Sequence, residues 1–160
     1  MAITNDVMIN HAPAFVGQVA DIQVSNKISK VNTDTVVIPY GYPVVRDGEN
    51  GAKMPTASSV AKDFVGVAMR EYQEIGVGSD FGIAPAHTGS IVTMGVVWVV
   101  AGADVTAGDA VYFGVGADVL GKFCKVAGSG ATLAVAIAGA KFVSTALAGE
   151  LVKVSLAIGG

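Results

Sequence analysis

Cysteine is almost absent from this chain of 160 residues: Cys124 stands alone, which rules out an internal disulfide framework and fits assembly in a reducing cytoplasm. Charge is scarce as well, at 14% of residues against roughly 25% in an ordinary soluble protein. The net charge is −3 and Lys and Arg are scattered, so no basic face is available for a nucleic-acid backbone. Long hydrophobic runs are missing too. The longest uncharged stretch, residues 81–103, is interrupted by Pro85, His87, Thr88, Ser90 and glycines, and its dense part spans only 91–101. A helix needs about 20 apolar residues to cross a bilayer, so a helical span is not expected. Residues 1–10 carry Asn5 and Asp6 but no Lys or Arg, which argues against secretion by a standard signal.

Reactive groups are equally sparse. The two histidines, His11 and His87, sit in no metal-ligand spacing. No Gly-x-Ser-x-Gly elbow occurs, and Cys124 lies between Phe123 and Lys125 in a β-like segment with nothing to activate a thiol; it reads as a small buried hydrophobe. Asp47, Glu49 and Asn50 superficially resemble the start of a calcium loop, but the later ligands are lacking, and Asp-Gly and Asn-Gly are ordinary turn dipeptides. Gly114, Gly116 and Gly121 miss the spacing of a dinucleotide-binding turn. The carboxylates, from Asp6 through Asp104, Asp109 and Asp118 to Glu150, fall mostly in or beside expected turns, where solvation or backbone capping accounts for them. No catalytic, cofactor-binding or metal-binding residue is assigned, no cofactor is implied, and the chain is not expected to be an enzyme.

What the sequence does have is small and apolar side chains. With Gly counted and Tyr left out they make up about 62% of the chain, against roughly 45–50% in ordinary proteins, which favours an assembly over a lone monomer. Residues 90–113 organise the pattern. The segments 91–101 and 109–113, flanking a Gly- and Asp-bearing connection at 103–108, predict two strands joined as a hairpin, with Trp98 and Tyr112 as packing anchors. Further strands are expected over 35–45, held to an edge by Pro39 and Pro43, and over 64–69, 89–94, 122–126, 131–138, 142–145 and 150–158. A helical turn is expected at 58–63, and loops at 46–57 and 70–82.

The first 34 residues differ from the rest. They mix Asn, Ser, Thr and Asp with short apolar pieces and hold no sustained period, so they read as an extended arm. Pieces such as 15–20 and 22–28 become strands only if an edge is offered to them. The expected architecture is therefore all-β: a compact small β-barrel or sandwich at 35–160, an extended N-terminal arm at 1–34, and few or no helices. On this reading, deletion of residues 1–31 leaves a folded body with weakened attachment to its partner.

Five pieces in order carry a family resemblance: IPYGYPVV at 38–45, DFVGVA at 63–68, GSIVTMGVVWVV at 89–100, VTAGDAVYF at 105–113 and ALAGELVKVSL at 146–156. From about residue 36 to the C-terminus the chain resembles the capsid cement, or decoration, proteins of tailed bacteriophages. In the last two pieces Gly108 and Gly149 stand where a turn requires positive φ, each followed by an acid at a strand entry. The resemblance implies a virion structural protein that forms a homotrimer at three-fold or local three-fold sites on the outer surface of the capsid. It implies the major capsid protein as partner, stabilisation of the shell against internal DNA pressure and synthesis in the host bacterial cytoplasm; from the scattered charge and the short apolar run, no direct contact with nucleic acid or membrane is expected. The alternative is a phage β-module that binds a glycan or host surface, which requires a cluster of exposed aromatic side chains.

Overall fold

The structure, a computed structural model, describes residues 14–71 and 81–156. Twelve strands account for its regular structure: β1 (Asn26–Asn32), β2 (Ile38–Pro39), β3 (Pro43–Asp47), β4 (Gly51–Lys53), β5 (Phe64–Ala68), β6 (Gly82–Ile83), β7 (Thr88–Met94), β8 (Val96–Val100), β9 (Ala110–Gly114), β10 (Phe123–Cys124), β11 (Ala134–Phe142) and β12 (Leu151–Ser155). Among the described residues the only helical pieces are single 3-10 turns at Ala61–Asp63 and Gly130–Thr132, so the all-β expectation holds. The turn at 61–63 falls where a helical turn was expected.

The strands form two main bodies. The first is a closed barrel in the order β1-β4-β3-β5-β7, with β2 and β6 as a separate two-stranded ribbon. The second is a sheet in the order β10-β9-β11-β12-β8. A parallel bridge between Ala101 and Phe123, with the Gly102 N–H donating to the Phe123 carbonyl at 2.7 Å, brings the far ends of that sheet together. Closure protects strand edges that would otherwise invite foreign pairing.

Residues 90–113 do not form a hairpin. β8 pairs with β12 and β9 pairs with β10 and β11, so two strands lie between them in the sheet. The apolar run is instead divided at Gly95, whose φ of +118° lets the chain leave the barrel as β7 and enter the second sheet as β8. Alternation fixes which face each side chain takes, but not which strand becomes the neighbour. In β12, Val152 and Val154 point inward and are fully buried, while Lys153 pairs across from Trp98 with its ammonium 5.1 Å from the indole ring.

Three other expectations need correction. The 46–57 loop contains a hairpin, β3–β4, turning through Gly48, Glu49 and Asn50, because its Asp-Gly and Asn-Gly dipeptides serve as hairpin corners. The strands expected at 131–138 and 142–145 are one, β11, which begins after a 3-10 turn and ends at Phe142. Residues 14–34, assigned to the arm, lie on the body. β1 pairs with β7 on one side and β4 on the other, closing the barrel. Upstream, Gly17 donates to Trp98 O at 2.8 Å, Trp98 donates to Gln18 O at 2.9 Å and Ala20 donates to Val96 O at 2.8 Å, so this segment adds to the outer edge of β8. The edges on which the sequence made strand formation conditional are thus supplied by the chain itself. Residues 1–13 of the expected arm lie outside the described residues.

One apolar core joins both bodies. Phe113, Phe123, Phe142, Val97, Val99, Val152 and Val154 from the sheet pack with Val45, Val67 and Val92 from the barrel. Phe64 of β5 stacks on Phe113 of β9 with ring centres 5.2 Å apart, an aromatic contact worth about 0.5–1.5 kcal/mol beyond its burial. A second cluster, built on Ile38, Val44, Ile83 and Ile91, lies with the barrel and its ribbon. Trp98 is only half-buried and Tyr112 packs against a small third cluster with Cys124, so the packing anchors are the three buried phenylalanines.

Candidate functional site

Several of the acids that chemistry would need are tied to the backbone. Asp63, Asp109 and Glu150 each stand immediately before a strand, and each carboxylate accepts the backbone N–H three residues earlier: Val60 at 3.0 Å, Thr106 at 2.9 Å and Leu147 at 2.9 Å. Each acid's own N–H donates back to the carbonyl of that earlier residue, closing the turn from both sides. Gly108 and Gly149 take φ of +97° and +85°, the positive values expected of them. The two turns also meet. Val105 and Ala146 exchange backbone hydrogen bonds at 2.9 and 3.2 Å, and Asp104 accepts the Ala148 N–H at 3.0 Å. Asp104, Asp109 and Glu150 are therefore scaffold residues that fix one corner of the sheet.

The remaining candidates are placed as follows. Asp47 pairs with Lys53 at 2.9 Å across the β3–β4 hairpin. The hydrogen bond from Lys53 holds the Asp47 carboxyl below its ordinary range, and the same bond raises the Lys53 pKa. Glu49 and Asn50 offer backbone carbonyls, to the Lys30 ammonium and to the Val31 N–H. Cys124 is buried, and desolvation pushes its thiol pKa up despite Lys122 nearby, which disfavours the reactive thiolate. His87 is exposed, with Nδ1 2.9 Å from the Pro85 carbonyl. The N–H groups of Val115 and Gly116 both donate to Leu133 O, so the glycine-bearing loop uses these donors to join strands. His11, Asp6, Glu74 and Asp80 lie outside the described residues. Among the described residues no group of three or more His, Cys, Asp or Glu is placed to hold a metal, and no helix is long and apolar enough to cross a membrane.

The surface carries what the interior does not use. Ile22, Val24, Phe15, Phe81, Val126 and Leu147 are exposed although apolar. Phe15 and Phe81, 56% and 54% exposed, both lie against Arg70: its guanidinium carbon is 4.5 Å from the Phe15 ring centre and 5.5 Å from that of Phe81. Sequence reasoning did not single out this cluster, because its members are separated by 55 and 11 positions and no local pattern links them.

This is a body with many surface groups suited to contact and with Asp63, Asp104, Asp109 and Glu150 committed to turns. A family model described as structural cement protein (E217 gp24/Pam3 gp6), a phage family, matches residues 3–157. The chain belongs to the phage structural cement protein family. Membership gives it a structural role in the virion capsid, and the match takes in residues 3–35 as well as the part that carried the resemblance. Among solved structures, a chain in the capsid of Myoviridae phage XM1 shares the fold, with a TM-score of 0.71 at 23% identity over 98% of each chain. A looser likeness links this cement-family chain to the head fibre gp8.5 N base of bacteriophage phi29, with a TM-score of 0.42 and 12% identity over 84% of this chain and 95% of that one. No curated protein matches the sequence.

Proposed function

We propose that this protein binds the assembled major capsid protein shell as a homotrimer, at three-fold or local three-fold sites on the outer surface, and holds the shell against the pressure of packaged DNA. The observation that carries this reading is the family match over residues 3–157. A trimer matches the symmetry of such a site, so each subunit makes an equivalent contact. Three linked contacts raise avidity through effective concentration without a single strong one. A protein that binds only the assembled shell shifts the equilibrium away from disassembly by mass action. The lone buried thiol suits synthesis in a reducing host cytoplasm.

Cryo-electron microscopy of the virion tests the proposal. The expected result is density for this fold, three copies together, on the outside of the shell at three-fold or local three-fold positions; a shell without this chain overturns it. The alternative, a β-module for a glycan or host surface, gains one observation, since Phe15 and Phe81 form a small exposed aromatic group around Arg70. Glycan-array binding by the purified protein, with the chain absent from the capsid, is the outcome that favours it.

A further inference from the structure

We infer that Phe15, Arg70 and Phe81 form the anchor by which this protein grips the shell, with the Arg70 guanidinium taking a carboxylate side chain of the major capsid protein. The inference rests on the proposed function and names the surface that performs it.

The three residues come from separate segments, each with a fixed backbone. Phe15 opens a closed turn in which its N–H donates to Gln18 Oε1 at 3.1 Å and its carbonyl accepts the Gln18 N–H at 3.1 Å. Arg70 follows β5, and its N–H donates to Gly17 O at 2.9 Å, tying that turn to the barrel. Phe81 precedes β6, and its carbonyl accepts the Tyr40 N–H at 3.2 Å. Both rings lie within cation–π range of the same guanidinium, which limits the rotamers of a long side chain before any partner arrives.

Charge complementarity selects the occupant. Among the described residues no hydrogen bond or ion pair engages the Arg70 guanidinium, whose planar fork of N–H donors matches a carboxylate in a bidentate pair. The half-exposed rings beside it would exclude water from that pair on docking, and Arg with aromatic neighbours is the composition that dominates binding energy at interfaces. Lysine does not substitute for this geometry, because it is a point charge without the stacking plane.

The test uses the full chain and undecorated shells of the major capsid protein, with co-sedimentation as the readout. Arg70→Ala is expected to weaken binding by about tenfold or more, the scale of a lost interface anchor, and to flatten the salt dependence of binding. Arg70→Lys should restore only part of the affinity. Phe81→Leu, which keeps an apolar side chain at an exposed position, should weaken binding severalfold and keeps the test decisive if Arg70→Ala fails to fold. Native-like shell binding by folded Arg70→Ala, or by both Arg70→Lys and Phe81→Leu, overturns the anchor and leaves the cement reading standing. Failure of the unaltered protein to bind shells overturns both. Binding to an acidic glycan that Arg70→Ala abolishes, with shell binding untouched, overturns the anchor in favour of a carbohydrate site.

Discussion

At the scale of single residues, one device recurs at six turns of the described chain. A side-chain oxygen accepts the N–H three residues upstream while its own N–H donates back, at Phe15/Gln18, Thr56/Ser59, Val60/Asp63, Thr106/Asp109, Ser129/Thr132 and Leu147/Glu150. Each pairing satisfies backbone groups that a turn would leave unmatched. Asn32 does the same work in the interior. It is almost fully buried, its Nδ2 donates to Val36 O at 2.9 Å and Ile83 O at 2.8 Å, and its Oδ1 accepts the Asp34 N–H at 2.8 Å. Leucine at this position would keep the volume and remove all three hydrogen bonds, the one to the Ile83 carbonyl being buried. Asn32→Leu is therefore expected to destabilise the fold by about 1–3 kcal/mol, the cost of leaving buried polar groups unsatisfied. Chemical denaturation measures it, and an unchanged midpoint would show that the network contributes nothing.

Among the elements, β1 decides what the N-terminal region is. It fills the gap between β7 and β4, and its loss would open the barrel and bare two strand edges. Deletion of residues 1–31 is accordingly expected to abolish cooperative unfolding, whereas deletion of residues 1–13 leaves β1 and the pairing of 17–20 with β8 in place and is expected to retain it. Circular dichroism melts of the two truncations check this, and a folded 1–31 deletion would show that β1 is dispensable. That contrast also marks what the sequence could reveal. β7 and β12 were legible because alternation of Val, Ile and polar residues declares a buried face. The pairings were not, since a strand's neighbour depends on chain path: Gly95 reads as one more glycine until its φ redirects β8 into another sheet. β1 (NKISKVN) was hidden for a related reason. Its ends are polar and, Asn32 apart, its side chains are exposed or only partly buried, so its place comes from edge hydrogen bonds that no hydrophobic pattern encodes. The turn acids were legible as scaffold, whereas the Arg70 cluster exists only through tertiary placement.

For the whole molecule, the question is what covers the apolar groups left outside a core that is otherwise continuous from barrel to sheet. Ile22 and Val24 are the extreme case, at 105% and 81% exposure, on the segment that passes from the edge of β8 to β1. They are two residues apart, and Val24 lies beside Gly95, at the joint between the two bodies. Burying a side chain of this kind is worth about 1.5–3 kcal/mol, so three subunits that cover six of them gain enough to matter for assembly. A homotrimer predicts a solution mass about three times the 16.1 kDa of one chain, measured by light scattering. The double variant Ile22→Asp, Val24→Asp is expected to shift that mass towards the monomer while its melting temperature, a property of the separate core, stays close to that of the unaltered chain once subunit dissociation is allowed for. A native chain that runs as a monomer would remove the trimer from the proposed function. A variant that remains trimeric would move the subunit contact away from this joint, to the exposed residues Val126 and Leu147 on the loops of the second sheet.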